Sequence, residues 1–551
     1  MMRKMHFFLI ILFGYSCSSG KYISRISSSF KKNTIDSISK NSWWKNDLIQ
    51  DTIPGISLDK ADAQILKGKK GDDLIVAVLD TSTDIEHPEL RSRIWLNLEE
   101  ITNNGKDDDK NGYIDDINGW NFVGFHNGKS SEYLNYEYTR ILREYDSVFL
   151  SQDSLKNRHI KTLHYQEYLR AQNKYNDRNV YAVRHKKVSE FLLKYFDKAQ
   201  LKLTELYASA SSNPPLVELE NLYKKEELNG ELKSIYYAMY LIKRHSFTKA
   251  SLQNRYQNSS ARFDIMLNKE YNDRAMIGDK PNDITDKKYG NNIVNANLGL
   301  LYHGTRVSGI IARISNSIEI MPLSISAIGD EHDKDIALAI RYAADNGAKI
   351  INMSSSKEFS LHQDWVQDAI RYAEQKDVLF ITSAGNDGND LDLPENFNYP
   401  NDTDIEDAEI VSNFIKVGAS GYELNENIKR SNSNYGKREV DLFAPGTDIY
   451  TTSTNDVGYE MASGTSFATP IVSGIAALVR SYYPNLTAPE VKQILMDSGV
   501  EYDIMVKAPT EEDPERMLPF NQLSKSGKIV NAYNALLMAE KVSKAKKRKK
   551  K

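Results

Sequence analysis

Four polar side chains stand in short stretches of small residues, and together they form the set that acyl transfer at a carbonyl group requires. Ser466, in Gly464–Pro470 before an apolar helical run, is a candidate nucleophile. His303 is a candidate general base, and Asp80 is a candidate carboxylate for orienting the imidazole. Asn386 is a candidate amide donor to a developing oxyanion. The combination predicts hydrolysis through an acyl-enzyme intermediate.

Each of these residues also has an ordinary structural explanation when it is taken alone. Serines at helix starts are mostly N-caps, asparagines after glycine mostly lie in turns, and single histidines are more often structural than catalytic. The prediction therefore depends on all four residues occurring together. Gly464 before Ser466 supports it, because glycine permits a close approach of the backbone.

The segments around these residues alternate between predicted strands and helices. The run Leu74–Leu79 is apolar on both faces and ends at Asp80, which is typical of a central parallel strand, and ligand chemistry in such sheets lies at the carboxyl ends of strands. The alternation predicts an α/β fold with a doubly wound parallel sheet and helices on both faces. Further strands are predicted at 318–325, 349–353, 378–382, 414–417 and 439–443, and helices at 58–66, 304–314, 334–346, 363–375, 466–482 and 489–497.

In its motifs the chain resembles the subtilisin-like serine proteases, the S8 family. Four segments match in the family's order of Asp, His, Asn and Ser, within roughly residues 55–125 and 290–500: Val76–Asp80, His303–Thr305, Ser383–Asn386 and Gly464–Pro470. Within the family the chain is most similar to exported members of Bacteroidetes-type bacteria, on the evidence of Ile53–Ser57, Asn118–Asn121 and the acidic loop between them.

The resemblance implies a serine endopeptidase that acts on protein or peptide substrates and needs no catalytic cofactor. It implies Ser466 as nucleophile, His303 as base, Asp80 as the partner of the imidazole and Asn386 as oxyanion donor. It also implies a substrate-binding set consisting of Ser354, Ser355, Ser356, Ser383, Ala384 and Gly385. The alternative is a protease-derived binding scaffold with weak or no activity.

Three residues depart from the usual pattern of the family. Ser82 and Ser356 each replace a common glycine, and Arg306 replaces a common histidine. None of the three removes an atom from the four catalytic candidates, although the departures are the best support for the scaffold alternative. We expect Ser356 to narrow the pocket wall and Arg306 to favour an acidic feature of the substrate.

The acidic stretch Asn104–Gly119 predicts a structural calcium site. Its oxygen donors, with Gly112 at the sixth place, follow the first nine positions of a calcium-binding loop. The twelfth place is Asn118 rather than glutamate, so Asp116 has to compensate. The alternative is an Asx-rich surface turn without a metal. The predicted ligands are Asp107, Asp109, Asn111, Tyr113, Asp115 and Asp116.

Residues 130–272, between Asp80 and His303, differ in composition from the rest of the chain. Tyr, Lys, Glu and Leu dominate, and apolar residues recur at helical spacing. The pattern predicts a mainly helical insertion, as a long-helix hairpin or a small bundle. The catalytic domain is therefore predicted in two parts, residues 55–129 and 273–535.

The N-terminus has the pattern of an export signal. Two basic residues precede an apolar run that is too short to span a bilayer, and Cys17, the single cysteine, follows it. We predict a signal peptide at residues 1–16, lipidation of Cys17 as in a bacterial lipobox, and a lipid-anchored tether and extension at residues 17–54. The expected location is the cell envelope, facing the periplasm or on the cell surface. The alternative is cleavage near Ser19 and secretion.

Residues 536–551 form a strongly basic C-terminal segment. We predict a solvated, disordered tail, and contact with anionic lipid or polysaccharide is the alternative. The formal net charge of the whole chain is −4, so the charge balance does not favour nucleic acid as a partner. The sequence leaves the oligomeric state undetermined.

Overall fold

The computed structural model describes residues 25–27, 39–150, 162–209, 215–225, 230–404, 406, 408–455, 457–510 and 512–549. The predicted signal peptide, the predicted lipidation site Cys17 and most of the predicted tether lie outside the described residues. Within those ranges, no helix combines the length and the apolar character that crossing a bilayer requires.

The fold is built on a ten-stranded sheet whose central strands are buried on both faces, as their continuous apolar sequences require. Its strands are β1 (Arg25–Ser27), β2 (Leu74–Asp80), β3 (Trp120–Asn121), β4 (Ile318–Ser324), β5 (Ile350–Met353), β6 (Leu379–Ser383), β7 (Phe414–Ser420), β8 (Leu442–Pro445), β11 (Val500–Asp503) and β14 (Lys528–Ile529). The order across the sheet is β1-β11-β14-β8-β7-β6-β5-β2-β4-β3. Only the β11–β14 pair within this sheet is antiparallel.

Two short hairpins accompany the sheet. They pair β9 (Ile449–Thr452) with β10 (Tyr459–Ala462), and β12 (Met505–Lys507) with β13 (Met517–Pro519). The β9–β10 hairpin precedes the helix that carries Ser466.

Helices cover both faces of the sheet, and the sheet lies between two hydrophobic clusters. The helices of the sheet domain are α1 (Leu48–Asp51), α2 (Leu58–Ala61), α8 (His303–Ala312), α9 (Asp333–Asp345), α10 (Gln363–Gln375), α11 (Thr465–Tyr482), α12 (Ala488–Ser498) and α13 (Ala532–Lys549). Helices α8, α11, α12 and α13 contribute to one cluster, and α9 and α10 contribute to the other. The predicted doubly wound α/β fold is confirmed, including the helical interruption described next.

In its described residues, the interruption between β3 and α8 contains five α-helices. They are α3 (Glu137–Phe149), α4 (Thr162–Ser209), α5 (Leu216–Lys224), α6 (Gly230–His245) and α7 (Lys249–Ala261). The near part of this insertion, around α3 and the first half of α4, packs Tyr138 and Tyr168 with Phe359 of the sheet domain. The far part packs the second half of α4 against α5, α6 and α7 around its own cluster, which includes Leu192 and Leu203.

Buried charges join the near part of the insertion to the sheet domain. The Arg140 guanidinium pairs with Glu137 and Asp273, and it donates to the carbonyl oxygens of Asp330 and Glu331 at 2.9 and 3.0 Å. Burial acts to raise the pKa of Asp273, but His332 and Arg140 outweigh it and hold that pKa well below its usual range. This junction is therefore ionic as well as apolar.

Two terminal segments are more ordered than the sequence predicts. Residues from Trp43 onward pack on the sheet domain: Trp43 is 0% exposed and donates its indole N–H to the carbonyl oxygen of Thr447 at 3.0 Å. This part of the predicted tether and extension is packed because two buried tryptophans, Trp43 and Trp44, outweigh its polar surroundings. The prediction of a disordered tail is wrong up to Lys549, since α13 buries Leu536 and Ala539 against the core.

Candidate active site

The Asp80–His303 pair joins the end of a central strand to the start of a helix. Asp80 is the last residue of β2 and is 3% exposed, and His303 is the first residue of α8. His303 Nδ1 lies 2.8 Å from Asp80 Oδ1, which also accepts the Thr81 amide N–H at 2.7 Å. Burial acts to lower the pKa of His303, but the Asp80 carboxylate outweighs it, so the pKa lies above its ordinary value. A carboxylate at Nδ1 leaves Nε2 available as a base.

Gly304 makes this approach possible. A Cβ on Gly304 would lie 2.5 Å from the carbonyl oxygen of Thr81 and 2.8 Å from that of Ser82. Any other residue would push the start of α8 away from the end of β2, and would separate His303 from Asp80. The Gly304 amide also donates to Thr81 Oγ1 at 3.0 Å, which ties the two elements together.

Asn386 and Ser466 meet at the start of α11. Ser466 is the second residue of that helix, and Asn386 follows β6 after Gly385. Asn386 Oδ1 accepts the Thr465 amide N–H at 3.0 Å, so the carboxamide is fixed to the first turn while its Nδ2 remains available as a donor. Gly464 has φ +145°, and a Cβ there would lie 3.2 Å from Asn386 Oδ1. Both observations favour glycine at position 464.

The Asp80–His303 pair lies beside the start of α11, which carries Ser466. The imidazole of His303 is 5.3 Å, between ring centroids, from the ring of Phe467, the residue that follows Ser466. Among the described residues, no hydrogen bond joins the Ser466 hydroxyl to His303. Such bonds are often long before substrate binds and tighten in the complex.

The sequence model of the subtilase family, Peptidase_S8, matches residues 71–517, which is more than half of the chain. The chain belongs to the subtilase family. The resemblance found in the sequence is confirmed at this level, and the particular similarity to Bacteroidetes-type members stays a prediction.

Several curated proteases are similar to this subtilase over part of its length. Subtilisin-like protease 1 of Plasmodium falciparum is 33% identical over 273 residues, 44% of this chain and 38% of that protein. Halolysin of Haloferax mediterranei is 34% identical over 210 residues, 36% of this chain and 37% of that protein. The thermostable alkaline protease of Halalkalibacterium halodurans is 32% identical over 202 residues, 35% of this chain and 50% of that protein. The matches thus span between about a third and a half of these relatives.

Two solved structures show weaker overall similarity to the subtilase. A lanthipeptide protease has 25% identity and a TM-score of 0.34, with coverage of 43% of this chain and 75% of that one. The prenylagaramide maturation protease has 27% identity and the same TM-score of 0.34, with coverage of 43% and 82%.

The residues predicted to bind substrate lie on two converging segments of the subtilase. Ser356 Oγ accepts a hydrogen bond from Asn398 Nδ2 at 3.1 Å, and it lies 3.1 Å from the place of a Cβ on Gly385. Ser354, Ser355, Ser383 and Ala384 complete these segments. The Gly385 amide donates to Thr465 Oγ1 at 3.2 Å and its carbonyl accepts the Asn434 amide at 3.0 Å, so the backbone of Gly385 is already paired.

The predicted role of Arg306 is not supported by its surroundings. Its guanidinium forms an ion pair with Glu460 of β10 and donates to the Tyr302 hydroxyl at 3.0 Å. Glu460 also accepts the Ser453 hydroxyl at 2.8 Å. The charge of Arg306 is therefore neutralised within the protein, and it stabilises the β9–β10 hairpin beside α8.

The acidic loop brings together a set of carboxylates that differs from the predicted ligand set. One carboxylate oxygen from each of Glu100, Asp109 and Asp116 lies within 4.8 Å of the other two. Asn111 is also here, and donates its Nδ2 to Asp109 and Asp116 at 2.8 and 2.9 Å. Glu100 lies outside the sequence motif, so the loop pattern could not indicate it.

Two predicted ligands, Asp107 and Asp115, are not part of this carboxylate cluster, and the seventh place of such a loop, Tyr113, would supply its backbone carbonyl rather than its side chain. Asp115 accepts the amides of Asn104 and Gly105 at 3.0 and 2.9 Å, and Asp107 accepts the Gly112 amide at 3.0 Å. The Tyr113 side chain is buried against the rings of Trp120, Phe122 and Tyr342. These carboxylates shape the loop, because each one satisfies backbone N–H groups of a turn.

Proposed function

We propose that this subtilase is a serine endopeptidase in which Ser466 is the nucleophile. The observation that carries the proposal is the hydrogen bond between His303 and Asp80 beside the first turn of α11. His303 Nε2 takes the Ser466 proton as Oγ bonds to the carbonyl carbon, and gives it to the leaving nitrogen as the C–N bond breaks. Water then cleaves the acyl ester by the same proton transfers, which restores Ser466.

Asn386 Nδ2 and the Ser466 amide N–H are proposed to stabilise the oxyanion of the tetrahedral intermediate. The bond from Thr465 to Asn386 Oδ1 supports this role, because it fixes the carboxamide before substrate arrives. Loss of one such donor costs about 10²–10³ in kcat. Asn386→Leu tests the assignment, and the expected result is a fall of this size with an unchanged KM.

An extended peptide is proposed to lie along Ser354–Ser356, with Ser383–Gly385 as the opposite wall of the pocket. The convergence of Ser356 and Gly385 supports this arrangement. Addition of an extended chain to such a strand is a general mode of peptide recognition. Ser356→Gly is expected to widen the pocket and to improve cleavage after large side chains relative to small ones.

Labelling by a fluorophosphonate probe tests the proposed activity. Wild-type protein is expected to be labelled, and Ser466→Ala to be unlabelled although it keeps its melting temperature. Ser463→Ala, a neighbouring serine in the same turn, serves as the control that keeps its labelling. A folded wild-type protein that never reacts would instead support the binding scaffold.

Calcium is proposed to be held by Glu100, Asp109 and Asp116. Burial, reinforced by the Asp109 charge, raises the pKa of Asp116 even though Tyr342 and Asn111 donate hydrogen bonds to it. Carboxylates in such a cluster repel one another, and oxygen donors of this kind fit a calcium ion, which would remove the repulsion. The bound ion would stabilise the loop between Trp95 and Trp120, while catalysis needs no cofactor.

Thermal unfolding with and without calcium tests this site. A calcium concentration of 100 times Kd is expected to add about 2.7 kcal/mol of stability. Asp116→Asn is expected to abolish the increase, and Asp107→Asn to keep it, because the Asp107 carboxylate lies outside the cluster. If Asp107→Asn also removed the response, the ligand set predicted from the loop pattern, which contains both Asp107 and Asp116, would be correct instead.

Export with lipidation of Cys17 is also proposed, from the sequence pattern alone. Metabolic labelling with palmitate is expected to mark the protein in the cell envelope, and Cys17→Ser is expected to remove the label. Secretion of an unlabelled wild-type protein would support cleavage near Ser19.

A further inference from the structure

Arg170, on the first half of α4, is a point at which the insertion contacts two segments that adjoin the Ser354–Ser356 side of the proposed substrate pocket. Its Nη2 donates to the carbonyl oxygen of Glu358 at 2.6 Å. Its guanidinium lies 4.3 Å from the ring centroid of Phe359 and 4.0 Å from that of Phe397. Arg170 is therefore placed between two aromatic rings that belong to different segments of the sheet domain.

One of these segments continues directly from the Ser354–Ser356 wall, and the other reaches that wall through Asn398. Glu358 and Phe359 follow Ser354–Ser356 along the chain, and Phe397 precedes Asn398, which donates to Ser356 Oγ. Lys357 and Tyr399 join the segments by two backbone hydrogen bonds of 3.0 and 2.8 Å. A group held between Phe359 and Phe397 therefore fixes the two segments that carry Ser356 and its hydrogen-bond partner Asn398.

A second contact on the same face of α4 strengthens this attachment. Lys174 lies one turn after Arg170 and forms an ion pair with the Glu358 carboxylate at 2.6 Å. The Arg170 side chain is 26% exposed and also pairs with Glu167 at 3.2 Å. Its planar guanidinium can stack on rings and donate in its plane at the same time, which a lysine cannot do.

We propose that Arg170 is a positioning residue for substrate binding, through which the helical insertion completes the peptidase pocket. The inference rests on the proposed endopeptidase function. Arg170 contacts neither the reacting atoms nor the Asp80–His303 pair; it holds the Ser356–Asn398 side of the pocket that receives the substrate side chain. The insertion is thus part of the substrate site rather than an appendage beside it.

Steady-state kinetics of Arg170→Ala test the proposal. We expect KM for a peptide substrate to rise about tenfold while kcat falls less than threefold. The position of Ser356 affects substrate binding more than it affects the arrangement of Asp80, His303 and Ser466. The rate of labelling of Ser466 by a small fluorophosphonate is expected to stay within twofold of wild type. Arg170→Lys keeps the charge without the planar fork, and is expected to raise KM in the same direction in a protein that folds.

Lys186→Ala provides a matched control on the same helix. Lys186 pairs with Asp264 at 2.7 Å within the insertion, so its loss removes an ion pair of α4 without touching the pocket segments. Its KM is expected to equal that of wild type. An unchanged KM in both Arg170 variants overturns the proposal. The proposal is also overturned if kcat and the labelling rate fall by the same factor as kcat/KM. The substitution would then have disturbed Asp80, His303 and Ser466 rather than substrate binding.

Peptide binding in a Ser466→Ala background separates this proposal from the proposed activity. Fluorescence anisotropy is expected to show Kd about tenfold weaker when Arg170→Ala is added. Equal Kd values overturn the role of Arg170 whether or not the protein cleaves peptides. Failure of wild-type protein to react with fluorophosphonate contradicts the endopeptidase proposal, and leaves the anisotropy comparison as the measurement that decides the role of Arg170.

Discussion

The sheet domain and the far part of the insertion are stabilised in different ways. In the sheet domain, apolar strands are buried on both faces, and glycines such as Gly304 let a helix start touch a strand end. In the far part, helices share one apolar cluster, and their ion pairs are exposed, as in Lys198–Glu231 with side chains 58% and 59% exposed. The packing of the sheet domain fixes the side chains of Asp80, His303, Asn386 and Ser466. In the described residues, the insertion contacts the region of the site through a few residues of its near part.

The largest expected effect belongs to the sheet domain alone. Asp80→Asn keeps the size of the side chain but removes the charge that orients His303, so kcat is expected to fall about 10⁴-fold. The far part of the insertion is expected to be unaffected, which a helical signal in circular dichroism checks. A variant that retains wild-type kcat would show that the chemistry does not depend on the end of β2.

Arg140→Ala tests the junction between the two regions. It removes one cation from the buried carboxylates of Glu137 and Asp273, which keep contacts with Lys357 at 3.4 Å and Arg143 at 3.7 Å, and loss of one partner of a buried pair costs up to about 3–5 kcal/mol. Lys198→Ala, which removes an exposed pair, is expected to cost about 0–1 kcal/mol. Urea unfolding of both variants measures the difference. Equal costs would mean that the junction is no more tightly held than the surface.

Leu192→Ala tests the independence of the far part. Leu192 is 0% exposed within the far cluster, and truncation of such a leucine costs about 2–5 kcal/mol. Hydrogen exchange is expected to accelerate in α5, α6 and α7, while the labelling rate of Ser466 changes less than twofold. A large loss of labelling would show that the far part and the site are more strongly coupled than their contacts indicate.

The smallest expected effect is a shift in pH dependence. Asp80 raises the pKa of His303, so kcat/KM is expected to fall on the acid side of its pH profile at a pH above 6.5. In Asp80→Asn, the residual kcat/KM is expected to fall at a lower pH. The raised pKa also contributes stability at low pH that is lost as pH rises through the folded-state value. A limb at the same pH in both proteins would contradict the electrostatic role of Asp80.

The core of the sheet and the catalytic candidates could be predicted because short local patterns determine them. Continuous apolar runs predicted β2 and β4–β8, and the residues after those strands predicted where Asp80 and Asn386 would lie. The β8 prediction was displaced toward the N-terminus, since the observed strand is Leu442–Pro445 rather than 439–443. Strand ends depend on pairing partners, which a single segment does not contain.

Contacts between distant segments could not be predicted in the same way. The ion pair of Arg306 depends on Glu460, 154 positions away, and the calcium candidate Glu100 precedes the loop motif. The basic composition of α13 alone favours disorder. The helix is ordered because it packs on the hydrophobic cluster of the sheet domain, which its own sequence does not contain. The role proposed for Arg170 depends on Phe359 and Phe397, which lie far from it in the sequence.

The length of α4 has a consequence for access. A helix of 48 residues extends about 72 Å, longer than many small domains are wide, and Arg170 and Lys174 fix its first half beside the proposed cleft. A bulky partner therefore meets a steric barrier on that side. If the cleft cuts proteins, we expect α4 to hinder compact substrates on that side more than thin, unfolded segments, so that the insertion would select substrates by their shape.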